Sequence, residues 1–101
     1  FTQQARQLVG LLADATALDE AGACAVVLES IVPEVATQIT AAVKATTIGI
    51  GAGSATDGQV LVTPDLLGSY PWFRPPFAKA RADVASETLR AVREYVSEVR
   101  G

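Results

Sequence analysis

The chain has 101 residues, half of them hydrophobic and 19% charged. That composition belongs to a globular chain of one domain or less and excludes a disordered one. A net charge of −3, one cysteine and no histidine argue against nucleic acid as a partner, an internal disulfide, a zinc site and the usual histidine-based triads.

No apolar run nears the roughly 18 residues that span a bilayer, and nothing resembles a signal peptide. The expectation is a cytoplasmic chain with no membrane partner. A start at Phe1 rather than Met leads to the expectation of a fragment or a processed chain.

Thr2 to about Ala21 reads as a helix, with Ala5, Leu8, Val9, Leu12, Ala15 and Leu18 at spacings of three and four. Thr2 is placed to cap it and Gly22 to stop it. Ala23–Leu28 is continuously apolar, which suits a strand covered on both faces of a parallel sheet. Cys24, inside that run, is expected to be a small buried hydrophobe. Pro33 opens a second helix to about Val43, with Glu34 favouring its positive end and Val35, Ile39 and Val43 as its stripe.

Thr46–Ile50 is the next strand and Gln59–Val62 a third apolar, β-rich segment. Asp65 follows Pro64 as a helix cap. Pro71–Pro76 is an ordered loop with two aromatic anchors, because residues before proline avoid the α region. Phe77 to about Val99 is the longest helix, with a seam of Ala78, Ala82, Ala85, Leu89, Val92, Val96 and Val99. Glu87, Arg90 and Glu94 form opposite-charge neighbours on its solvated face.

Strands alternating with helices imply parallel βαβ units and an α/β fold. Three such strands neither close a barrel nor cover both faces of a sheet, so further strands are expected outside this chain. The connection between the second and third strands, about eight residues, is shorter than the dozen or so of an ordinary parallel crossover.

That connection holds the glycines of Thr47-Ile48-Gly49-Ile50-Gly51-Ala52-Gly53-Ser54-Ala55-Thr56-Asp57-Gly58-Gln59. A Walker loop is rejected, since no lysine lies between Lys44 and Lys79. A dinucleotide fingerprint has a different glycine spacing and a helix directly after it. Two readings stay open: the ligand-facing rim of a (βα)8 barrel, or a structural turn. Asp57, in Thr-Asp-Gly, fits a turn. Glu29 ends a buried strand, where packing does not require a carboxylate. It either faces an active-site mouth as a general base, or caps the next helix or pairs with a surface arginine.

Ala21-Gly22-Ala23, Val26-Val27-Leu28-Glu29 with Pro33, Ile48-Gly49-Ile50-Gly51-Ala52-Gly53, Asp57-Gly58-Gln59-Val60-Leu61-Val62 and Asp65-Leu66-Leu67-Gly68 together resemble the C-terminal part of ketopantoate hydroxymethyltransferase. Phe77-Ala78-Lys79 and Tyr95–Val99 fit that family's last helix. The resemblance covers nearly the whole chain in order and spacing.

It implies that residues 1–101 are the C-terminal segment of one (βα)8 barrel domain of the phosphoenolpyruvate/pyruvate superfamily, ending in a long helix. The family is usually a large homo-oligomer. It transfers a hydroxymethyl group from 5,10-methylenetetrahydrofolate to 3-methyl-2-oxobutanoate, giving 2-dehydropantoate for pantothenate synthesis. The position of Glu29 matches the family's proton acceptor. A Mg2+ ion holds the keto acid there, but no stretch of this chain matches its acidic ligands or the substrate-binding lysine. Activity of this chain alone is therefore not expected. Two alternatives remain beside this reading: another 2-oxo-acid enzyme of the superfamily, or a non-catalytic interaction module using helix 77–99.

Overall fold

A computed structural model describes residues 3–73 and 75–101. The Thr2 cap and Arg74 of the proline-rich loop lie outside the described residues. The chain divides into two compact units, Phe1–Val60 and Leu61–Gly101.

In the first unit, α1 (Gln3–Glu20) ends where expected: Gly22 takes a φ of 99° and the Ala23 amide returns to the Leu18 carbonyl. Strand β1 (Ala25–Glu29), helix α2 (Pro33–Ala42) and strand β2 (Thr46–Ile50) follow. The two strands pair in parallel, Ala25 beside Thr46 through to Glu29 beside Ile50. A two-residue strand β3 (Gly58–Gln59) pairs in parallel with β2, Ile48 beside Gly58. The sheet order is β1-β2-β3.

The core lies on one side of this sheet. Val26 and Leu28 of β1 pack with Ala15 of α1 and with Val35, Ala36 and Ile39 of α2. Ile39 and Ala36 are fully buried. The other side is not covered within the unit: Val27 is 58% exposed, and Ala25 and Glu29 are exposed beside it. The two-sided burial expected of β1 is not reached within this chain, as expected of three strands alone. Apolar residues occupy both faces, but the unit's helices reach only one.

Cys24 is also exposed, against expectation. It precedes the strand, its carbonyl accepts from the Thr46 amide at 3.0 Å, and its side chain falls outside the packed core. At the α2–β2 turn the Asp19 carboxylate accepts from the Lys44 and Ala45 amides, each at 2.9 Å. Those bonds tie the end of α1 to the start of β2.

In the second unit, α3 (Thr63–Leu67) starts directly after Val62 and ends on Gly68 at φ 64°. The expected third strand over Gln59–Val62 is therefore cut short. The Val60 amide still reaches the Gly49 carbonyl at 3.0 Å, but Val62 is already the N-cap of a helix with Pro64 in its first turn. Asp65 sits in that first turn rather than at the cap.

The last helix, α4 (Val84–Arg100), begins seven residues later than the apolar rhythm predicts. Asp83 caps it, accepting from the Ser86 amide at 3.2 Å. Before it, Ala78 bonds back to Pro75 and Arg81 to Leu66, so Ala78 and Ala82 belong to the loop. Ala85, Leu89, Val92, Val96 and Val99 form the remaining seam; Ala85 is half-buried and the other four are exposed within the unit.

Arg90 bridges Glu87 at 2.6 Å and Glu94 at 2.7 Å on the solvated face, as the charge spacing predicts. The Arg90 guanidinium holds the Glu87 carboxyl below its ordinary range. Because this carboxyl titrates lower folded than unfolded, the pair contributes above the unfolded pKa. That contribution is lost as pH falls through the folded value.

Candidate active site

Residues paired across a parallel ladder share a face, and successive residues alternate. Ala25, Val27 and Glu29 of β1 therefore share the uncovered face with Thr46, Ile48 and Ile50 of β2. Glu29 stands last on it, at the C-terminal end of its strand and beside Ile50. Its side chain makes no hydrogen bond or ion pair with any described residue. Helix α2 starts after Val32 with no side-chain cap. Among the described residues neither structural role open to Glu29 from the sequence, cap or ion-pair partner, is therefore taken up.

The turn after Glu29 and the glycine loop abut. The Ser30 amide donates to the Ile50 carbonyl at 2.9 Å, adding one rung beyond the strand pair. A Cβ on Gly53 would lie 2.8 Å from the Pro33 Cβ, and Gly53 has a φ of 83°. Both facts require glycine there. Gly51 is also left-handed, at 67°, and Ala52 between them is buried. Gln59 Nε2 donates to the Gly53 carbonyl at 3.1 Å. The Thr56 hydroxyl donates to the Gly58 carbonyl at 2.9 Å. A Cβ on Gly49 would meet that hydroxyl at 2.7 Å.

Asp57 does more than form a turn. Its carboxylate accepts from the Thr47 amide at 2.9 Å and the Thr47 hydroxyl at 3.3 Å. Its own amide donates to that hydroxyl at 3.1 Å, and Thr40 adds a hydroxyl contact at 2.9 Å. The side chain thus stands in for a strand residue one step before β3 begins, which is how a seven-residue link joins two parallel strands.

Thr47 is fully buried, so Asp57→Ala strands its amide and is expected to cost about 1–3 kcal/mol. Asp57→Asn retains an acceptor oxygen and is expected to cost less. Thermal melting of the two variants in the full-length protein checks the order.

Sequence reasoning missed two features of this rim. Ser30 adopts a positive φ of 53°, a conformation that costs a non-glycine residue about 1–2 kcal/mol; no residue-type signal marks it. The Thr47–Asp57 clasp had a partial signal in Thr-Asp-Gly, but its partner lies ten residues back. Among the described residues no three or more Asp, Glu, Cys or His side chains group so as to hold a metal ion. The described residues therefore do not by themselves form a Mg2+ site.

Residues 1–101 match the family model described as ketopantoate hydroxymethyltransferase. The chain is 52% identical over 89 residues to 3-methyl-2-oxobutanoate hydroxymethyltransferase of Cenarchaeum symbiosum (strain A), covering 88% of this chain and 34% of that relative. It is 53% identical over 98 residues to the protein of the same name from Syntrophotalea carbinolica, covering 97% and 36%. The Sinorhizobium medicae relative of that name is 45% identical over 95 residues, covering 94% and 35%. The chain thus spans about a third of the length of these curated relatives. A match that runs from the first residue to the last, at half identity and through both the Glu29 turn and the glycine rim, places the chain in the ketopantoate hydroxymethyltransferase family.

Proposed function

We propose that this chain is the C-terminal segment of a single (βα)8 barrel domain. The full-length protein would transfer a hydroxymethyl group from 5,10-methylenetetrahydrofolate to 3-methyl-2-oxobutanoate, giving 2-dehydropantoate, with Glu29 as the general base. The observation that carries the reading is the place of Glu29. It is a carboxylate without a partner among the described residues, at the C-terminal end of a parallel strand, on the open sheet face, beside a glycine rim. In barrels of this class chemistry collects at that end of the strands.

The Glu29 carboxylate takes the C3 proton of the 2-oxo acid. The electron pair left behind delocalises onto the 2-oxo oxygen. Water hydrolyses both C–N bonds of the folate methylene, releasing tetrahydrofolate and a formaldehyde-level carbon. C3 attacks that carbon, its C=O π bond opens to an alkoxide, and the alkoxide takes the proton back from Glu29 to become the new hydroxyl. Val27, Ile48 and Ile50 on the same face give this step an apolar wall. The Mg2+ implied by the family resemblance has its ligands outside this chain on this reading, and no step above is routed through it.

Homo-oligomeric assembly, a cytoplasmic location, and small-molecule rather than nucleic-acid or membrane partners belong to the same reading through family resemblance. No described helix is long and apolar enough to cross a membrane.

The test uses the full-length protein. In D2O and without folate, it should exchange the C3 hydrogen of 3-methyl-2-oxobutanoate for deuterium, followed by NMR. With 5,10-methylenetetrahydrofolate it should form 2-dehydropantoate. Turnover of a different 2-oxo acid, with none of 3-methyl-2-oxobutanoate, would move the protein to another activity of the superfamily.

A further inference from the structure

Strict alternation along β1 would place Ile31 on the open face with Ala25, Val27 and Glu29. Ile31 is instead buried in the core with Val26 and Leu28, at 9% exposure. The reversal occurs at Ser30, the one non-glycine residue with a positive φ among the described residues. The Ser30 hydroxyl makes no hydrogen bond with the described residues, so no side-chain contact accounts for the conformation. What fixes it is the backbone: the Ser30 amide is held by the Ile50 carbonyl at 2.9 Å, and Pro33, three residues on, is packed against Gly53.

We infer that Ser30 is a positioning residue for Glu29, its left-handed backbone returning Ile31 to the core while leaving the carboxylate last on the open face. The inference rests on the reading of Glu29 as the base. An extended Ser30 would continue the strand. Either Ile31 would then leave the core, or the β1 end would rotate and carry Glu29 from its place. Backbone strain beside a reacting group, held in place by the surrounding structure, is a known companion of function.

The role belongs to the backbone and not to the hydroxyl, which makes it testable in the full-length protein. Ser30→Val puts a β-branched side chain where φ is positive. It is expected to lower kcat for C3 proton exchange on the order of 10²-fold, the scale of an ångström-sized misplacement, with KM for the 2-oxo acid far less changed. Ser30→Gly accepts the left-handed conformation and is expected to rescue exchange without the hydroxyl. Ser30→Asn, which also tolerates it, should exceed Ser30→Ala, and that pair decides the matter if Ser30→Val does not fold.

Normal kcat in Ser30→Val, lost exchange in Ser30→Gly, or equal rates in Ser30→Asn and Ser30→Ala overturns the role of Ser30. Glu29→Gln is the control. Normal exchange in that variant sinks the base assignment. Lost exchange there, beside normal exchange in Ser30→Val, sinks the positioning role alone.

Discussion

Glu29→Gln in the full-length protein is expected to slow exchange of the C3 proton of 3-methyl-2-oxobutanoate by about 10²–10⁴-fold, the usual contribution of a positioned general base. Glutamine keeps the length and shape of the side chain and removes its capacity to take a proton. Glu29 is exposed and holds no partner among the described residues. The substitution therefore leaves no buried group unpaired and should leave the melting temperature near that of the parent. Deuterium incorporation followed by NMR, at saturating 2-oxo acid, reads the chemical step directly. A variant that exchanges as fast as the parent would remove Glu29 from the mechanism. One that loses exchange together with its fold would leave the contrast with a second substitution, Glu29→Asp. The shorter carboxylate retains basicity, and its rate should lie between those of parent and Gln variant.

The second large effect falls on stability. Gly53→Val forces a β-branched residue into a φ of 83°, worth about 1–2 kcal/mol for the left-handed conformation alone. Its Cβ would arrive 2.8 Å from the Pro33 Cβ, with the ring Cγ at 3.3 Å and the backbone Cα at 3.4 Å. Proline cannot swing aside as a flexible side chain can, so overpacking adds about 1–3 kcal/mol more. The relief available is to push the Glu29–Pro33 turn outward, so proton exchange should fall together with the melting temperature. Gly58→Ala is the internal comparison. A Cβ there meets nothing within 4 Å and its φ is not left-handed. If the two variants melted alike, steric contact at the rim would not be what requires Gly53.

Much of the first unit was legible in the sequence because it is periodic. Leu8, Leu12 and Ala15 marked α1, and Val35 and Ile39 marked α2. The β-branched run Thr46-Thr47-Ile48 marked β2 to the residue. The error over the last helix has a plain cause. A four-three rhythm records which residues are apolar, and alanines obey it in a loop as readily as in a helix. The expected final helix therefore ran through Ala78 and Ala82 until the Asp83 cap contradicted it.

Val60 and Val62 have strand propensity, but a proline two residues beyond Val62 turned that segment toward α3. Cys24 and Val27 were taken as buried because an apolar run does not say how many faces its neighbours cover. At the site, Glu29 was legible as a charge that packing does not need. The left-handed Ser30 was not, since serine carries no preference strong enough to announce it. Nor was Asp19 and its hold on the Lys44 and Ala45 amides, which depends on contacts 25 and 26 residues apart.

The helix-free link between β2 and β3 bears on the order of assembly. Ile48 meets Gly58 only ten residues away, whereas Ala25 meets Thr46 across an intervening helix. Closing a ten-residue loop takes about 10–100 ns, and local pairings run ahead of distant ones. The Thr47–Asp57 clasp and its glycines can therefore be in place before β1 arrives. On that sequence of events the rim is a template that later receives the strand carrying the carboxylate.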